Sequence, residues 1–245
     1  MRERGRSRNF GTHLSAIVGE AALLTPEQLT GCEDTHLTDL GEVRVTDGTA
    51  KAYLLMQKAA ERDGVTMAIA SGFRSFEAQA SIFNRKARGE LALRDSSHNI
   101  IATPIAEPRA LLKTILIWSA LPGASRHHWG TDIDLFDPCH IEHGQLELVQ
   151  SEFDAGGPCH ELACWLEKNA RDFGFYRPYR SPTNGVQPEP WHYSYKRESD
   201  QCLANFEIKH LRDAITKANV ELSATIESEL DKIFEHYVLN VDKTW

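Results

Sequence analysis

Ser125-Arg126-His127-His128-Trp129-Gly130-Thr131-Asp132-Ile133-Asp134-Leu135-Phe136 crowds imidazoles and carboxylates around a single glycine, then falls into alternating polar and apolar residues. A repeat of two marks a strand buried on one face. Residues 131–136 are therefore expected to be extended, with Asp132 and Asp134 on the same side. Gly130 tolerates the backbone angles that a tight entry into such a strand needs. A histidine before the glycine and a carboxylate a few residues along the strand can then converge on one cation.

Zinc takes nitrogen and oxygen donors in a tetrahedron and keeps one position open where it is catalytic, so two ligands are too few. The segment Gln187-Pro188-Glu189-Pro190-Trp191-His192-Tyr193 offers a further histidine with a glutamate three residues before it. Its prolines forbid a regular helix, which separates it from the helical His-Glu-x-x-His arrangement of many zinc peptidases. Extended geometry serves equally well. With His192 on the metal, Glu189 is near enough to hydrogen-bond a water there, as a general base must be. Residues 191–195 read as a short aromatic strand.

Outward from these two stretches the patterning is mostly helical. Residues 50–63 place Tyr53, Met56, Ala59 and Ala60 on one helix face with Gly64 as the stop, and residues 65–70 follow as a short buried strand. Ser71-Gly72-Phe73-Arg74-Ser75 is a turn into a helix running to about Arg88, with Ser75 as its N-cap and Glu77 in the first turn. Residues 110–121 are expected to form a helix ended by Pro122-Gly123. Another spans 160–173, with Trp165 and Phe173 in its core stripe and Gly174 at its end. Beyond Ser199 two helices are expected, 200–218 and 221–239, joined near Asn219. They carry no chemical motif and read as a packing or dimerising appendage, while residues 1–25 read as a loosely attached basic extension.

With 245 residues, 41% apolar and 25% charged, the chain can build one substantial core with an appendage. Its net charge of -8 opposes general attraction to phosphate backbones or anionic lipid, so no nucleic-acid partner is expected. No run approaches the roughly 18 to 20 apolar residues of a membrane span. The five cysteines are odd in number and irregularly spaced, which points to reduced thiols and favours the cytoplasm over export. Cys139-His140 with His143, and Cys159-His160 with Cys164, match no zinc spacing.

The pattern Ser-x-His-x-x-Gly-x-x-x-Asp at 125–134, followed by Glu-x-x-His at 189–192 and preceded by Ser-Gly-Phe-Arg-Ser at 71–75, closely resembles the zinc D-alanyl-D-alanine carboxypeptidases. That family includes the vancomycin-resistance peptidases and related L,D-carboxypeptidases. The resemblance runs from about Thr30 to Tyr195. It implies an α+β fold, a small antiparallel sheet flanked by helices with a zinc cleft, over residues 26–198, followed by the helical appendage at 199–245. It also implies that His127, Asp134 and His192 hold Zn2+ and that Glu189 is the catalytic base. Arg74 then binds substrate and stabilises the oxygen that turns negative in the transition state, and Ser125 and Gln79 match positions near the substrate. Asp132 is a departure, since many relatives carry a small residue there; it leaves open which aspartate binds metal, and motif alignment selects Asp134.

The activity implied is hydrolysis of the C-terminal D-alanine of peptidoglycan stem peptides or muropeptides, by D,D- or L,D-cleavage. The alternatives are a zinc endopeptidase or amidase of endolysin type, and a metal-dependent binding module without catalysis. Glu189 separates the last of these, because a binding module needs no base beside its metal.

Overall fold

The computed structural model describes residues 23–182 and 184–243; most of the N-terminal extension expected from the sequence lies outside them. Along the chain run α1 (Pro26–Leu29), the hairpin β1 (Thr38–Leu40) and β2 (Val43–Val45), α2 (Asp47–Arg62), β3 (Ala68–Ser71) and α3 (Phe76–Ala87). A second hairpin, β4 (Leu93–Arg94) and β5 (Ile100–Ile101), precedes α4 (Pro108–Leu116), and a 3-10 turn at Arg126–Trp129 leads into β6 (Asp132–Phe136). Then come α5 (Gln150–Phe153), α6 (His160–Asn169), β7 (Phe175–Tyr176), β8 (His192–Tyr195), α7 (Lys196–Asn205), α8 (Ile208–Thr216) and α9 (Ser223–Ile233).

Strands β3, β6, β8 and β7 lie side by side in that order, all antiparallel, which makes this an α+β fold built on a small antiparallel sheet. The alternation seen in the sequence now divides the sheet. Ile133, Leu135, Tyr193 and Tyr195 pack against Met56 of α2 and Leu162 and Trp165 of α6. Asp132, Asp134, His192 and Ser194 take the alternate positions of the same two strands, with Asp134 opposite His192 and Asp132 opposite Ser194. A second core joins α1, α3 and α4 to the C-terminal helices through Phe83, Leu116, Phe206, Leu211 and Leu230. The boundary expected at residues 198–199 falls inside α7.

Several elements differ from the expected ones, the first two because side chains capture backbone groups. The strand expected at 65–70 starts at Ala68: the Val65 N–H donates back to Ala60, and Tyr53 and Gln57 donate to the Met67 carbonyl. The helix expected over 110–121 ends at Leu116, and the chain beyond is held by the Trp118 indole on Asp95 O and by Gln79 on Ala120 O. The pair of C-terminal helices is a trio. The first breaks at Phe206, which turns inward edge-on to Trp129, and the last closes in a π turn at Phe234–Leu239. Neither hairpin nor β7 is read from the sequence, because strands of two or three residues are too short to show a period. Among the described residues no helix is long and apolar enough to cross a membrane.

Candidate active site

Gly130 sits at φ +70°, and a Cβ there would meet Leu37 at 2.3 Å and the Thr46 amide nitrogen at 3.2 Å. Only glycine fits where the 3-10 turn hands over to β6. The turn presents His127, whose Nδ1 lies 2.9 Å from the Gly72 carbonyl. A carbonyl only accepts, so Nδ1 carries the proton, and Nε2 faces Asp134 Oδ2 at 3.2 Å with its lone pair. His192 is oriented the other way round. Its Nε2 is bonded to Asp132 Oδ1 at 2.9 Å. Its Nδ1 faces Asp134 Oδ1 at 3.4 Å and Glu189 Oε2 at 3.1 Å.

The ligand atoms of His127, Asp134 and His192 all lie within 4.8 Å of one another, and all three residues are buried. Asp134 Oδ1 is buried and accepts no hydrogen bond. A buried carboxylate oxygen without a donor is costly, and a divalent cation shared with the two imidazoles removes that cost. Burial alone would raise the Asp134 carboxyl, but the neighbouring His127, His192 and Arg74 side chains outweigh it and hold its pKa below the usual range. The donor set therefore fits a metal, with two nitrogens, one oxygen and a position left over.

Asp132 stands behind this group rather than in it. Its Oδ1 accepts from Arg126 Nε at 2.8 Å as well as from His192, and its Oδ2 accepts from Thr131 Oγ1 at 2.6 Å. Arg126 and Asp132 are 3% and 0% exposed. Burial opposes ionisation of the carboxyl, yet the Arg126 charge and the His192 bond prevail and keep it ionised well below the usual range. Arg126 is fixed in turn by Ser194 Oγ at 2.7 Å and by the face of Trp129. Of the two aspartates, then, Asp134 points at the imidazole lone pairs and Asp132 orients one of the rings. His128 has no place in the group: it is buried, accepts from the Gly123 N–H at Nε2 and reaches Arg74 O through Nδ1 at 2.6 Å.

Arg74 approaches from the β3–α3 turn. Its N–H donates to His127 O at 3.1 Å. Its guanidinium donates to Gln79 Oε1 and Ser71 Oγ, each at 3.0 Å. Gln79, which the sequence places against substrate, is buried and does not line the cleft; it grips Arg74 on one side and Ala120 O at 2.7 Å on the other. Glu189 is held by its N–H on Tyr179 O at 2.9 Å. Together with the metal group, Arg74, Ser125 and Glu189 line a cleft of about 410 Å³. Trp191 and Trp118 form an aromatic wall there, with His98 of the β4–β5 turn 3.8 Å from the Trp118 ring. Lys86, Trp118 and His98 escape the sequence reading because no motif surrounds them; an aromatic and a cation at the end of predicted helices were the only signal.

A carboxylate beside a candidate metal position, in a cleft, is the arrangement that amide hydrolysis needs, and it is in keeping with a metallopeptidase. The chain belongs to the VanY family, D-alanyl-D-alanine carboxypeptidase, whose model matches residues 42–198. An uncharacterized protein of Haemophilus influenzae is 34% identical over 122 residues, 49% of this chain and 93% of that one. A D-alanyl-D-alanine carboxypeptidase of Enterococcus faecalis is 32% identical over 166 residues, 66% of this chain and 52% of its own length, so the chain spans about half of that relative. Among solved structures, the vancomycin resistance D,D-pentapeptidase VanY in complex with Zn(II) is 27% identical, with a TM-score of 0.48, over 66% of this chain and 79% of that one.

Proposed function

We propose that the protein is a zinc-dependent carboxypeptidase that releases the C-terminal D-alanine of peptidoglycan stem peptides, with His127, Asp134 and His192 as zinc ligands and Glu189 as the base. The observation that carries this reading is the Asp134 carboxylate, whose buried Oδ1 has no donor and faces His192 Nδ1 while its Oδ2 faces His127 Nε2, in a chain of a carboxypeptidase family. When bound, zinc supplies the Lewis acidity that polarises a peptide carbonyl and brings the pKa of water from about 15.7 toward about 7.

The chain's own groups supply the rest. Glu189, with Oε2 3.1 Å from the His192 nitrogen that faces Asp134, takes the proton of the attacking water and returns it to the departing amine. Arg74, its guanidinium fixed by Gln79 and Ser71, stabilises the carbonyl oxygen as it turns negative. Its planar fork also suits a carboxylate. The presence of Glu189 weighs against a binding module, and family membership weighs against an endolysin-type endopeptidase.

The test is to incubate zinc-loaded protein with tetrapeptide and pentapeptide stems, with and without a chelator, and to quantify free D-alanine. Release that stops with the chelator and returns with zinc is the expected result, and the stem that is cleaved separates L,D- from D,D-activity. Zinc-loaded protein that frees no alanine from either stem overturns the proposal.

A further inference from the structure

We infer that Lys86 anchors the free carboxylate of the leaving residue, and thereby selects peptides that end one residue past the scissile bond; the inference rests on the carboxypeptidase reading above. Helix α3 leads away from Arg74, and Ile82 and Lys86, four residues apart on one of its faces, line the cleft. Lys86 Nζ is held by Ser119 Oγ at 2.6 Å. Gln79, on the same helix, grips the neighbouring residue, Ala120, and also holds the Arg74 guanidinium. Ser119 and Ala120 both line the cleft, so the ammonium stands on the same wall as the Arg74 guanidinium. A peptide whose reacting carbonyl lies beside Arg74 can extend its next residue along that wall, where its carboxylate meets the ammonium.

The charges of the cleft support the same assignment. Arg94 also lines it but is paired with Glu147 at 2.9 Å, Arg126 is paired with Asp132, and Arg74, held by Gln79 and Ser71, is engaged at the reacting carbonyl. Lys86 forms no ion pair with a described carboxylate; its bond is to a neutral hydroxyl. Burial, then Arg74 and Arg94, lower its pKa to about 8, as befits an ammonium kept in a half-buried wall without a counter-ion. A bound carboxylate supplies that counter-ion. A peptide continuing past the leaving residue, or ending in an amide, offers only a neutral group.

The experiment uses zinc-loaded full-length protein carrying Glu189→Gln, titrated with the stem that the wild type cleaves and with the same stem as its C-terminal amide. The acid is expected to bind about tenfold or more tightly than the amide. Adding Lys86→Met is expected to weaken the acid alone and bring the ratio close to one, and Lys86→Arg to restore it. Ser119→Ala removes the hydroxyl partner but not the charge and is expected to keep the ratio, an outcome that a merely structural lysine does not produce. In the otherwise wild-type enzyme, Lys86→Met is expected to raise KM more than it lowers kcat. If Lys86→Met does not fold, Lys86→Gln takes its place in the same titration. An unchanged acid-to-amide ratio overturns the inference while D-alanine release by the wild type leaves the carboxypeptidase reading standing; no release from any stem overturns both.

Discussion

Replacing Asp132 by asparagine or by alanine removes different things from the same buried place. Asparagine keeps an oxygen for Arg126 Nε and His192 Nε2, now 2.8 and 2.9 Å away, and an amide that can donate to Thr131 Oγ1, but it loses the charge. Alanine loses everything. Breaking a buried pair from one side costs about 3–5 kcal/mol, because the remaining ion is left uncompensated; Arg126, nearly fully enclosed, is that ion. Asp132→Ala is expected to fall in this range and Asp132→Asn at about 2 kcal/mol, since its hydrogen bonds offset part of the loss. Zinc binding should follow the orientation of His192. Removing the carboxylate that holds a ligating imidazole weakens the metal by about 10–100-fold, with Asn near the lower figure and Ala near the upper. Urea unfolding of the zinc-free variants gives the first quantity, and competition with a chelator at fixed pH gives the second. A stable Asp132→Ala protein with unaltered zinc affinity refutes the idea that this carboxylate sets the ring. Loss of zinc in Asp132→Asn as complete as in Asp134→Ala makes Asp132 a ligand and reverses the assignment of the two aspartates.

Glu189→Gln is expected to keep zinc and to release D-alanine about 10²–10⁴-fold more slowly, while His192→Ala loses the metal; equal metal loss in both variants places Glu189 among the ligands. Burial lowers the His128 pKa to about 3 in the folded protein, against about 6.5 in the unfolded chain. Between those values only the unfolded chain holds the proton. Stability is therefore intact above pH 6.5 and declines as the pH falls toward 3, by up to about 5 kcal/mol. His128→Gln, which keeps a donor and an acceptor, should flatten that slope in urea titrations at pH 4 to 6.5, and parallel slopes count against the assignment. Gly130→Ala forces a left-handed backbone and a Cβ 3.2 Å from Thr46 N, and is expected to cost about 2 kcal/mol. Calorimetry showing an unchanged Tm removes the steric argument.

How far the site can be read from the sequence depends on the range of the constraint. His127, Gly130 and Asp134 lie within one turn and one strand, and Glu189 precedes His192 by three residues, so spacing alone suggests their convergence. The choice between Asp132 and Asp134 is not local. Both lie on one face of β6, and what separates them is Arg126, which reaches across to claim Asp132, and Ser194, which fixes Arg126 from the neighbouring strand. Gln79 matches a motif position, yet its amide turns away from the cleft to Ala120. That contact links residues 41 apart in the chain and also pulls the segment after α4 out of helix. The same capture ends the apolar run at 110–121 early and delivers Trp118 and Ser119 to the cleft wall. Propensity favours helix there, and tertiary hydrogen bonds decide otherwise.

The metal group and the hydrophobic core are consequences of one register. Asp134 faces His192 because β6 and β8 pair Ile133 with Tyr193 and Asp134 with His192, and that pairing is set by the apolar residues, all buried against α2 and α6. A slip of one residue in either strand would send Ile133 or Tyr193 into the cleft and bury a ligand among Met56, Leu162 and Trp165. The ligands cannot enforce the register themselves, since their mutual contacts in the chain alone bring carboxylates and imidazoles out of water at a cost. The four inward side chains, each fully burying apolar surface for about 1.5–3 kcal/mol, hold the strands in place against that cost. The site is thus specified twice: by polar residue types at fixed spacings, and by the apolar residues between them, which determine the direction each polar one faces.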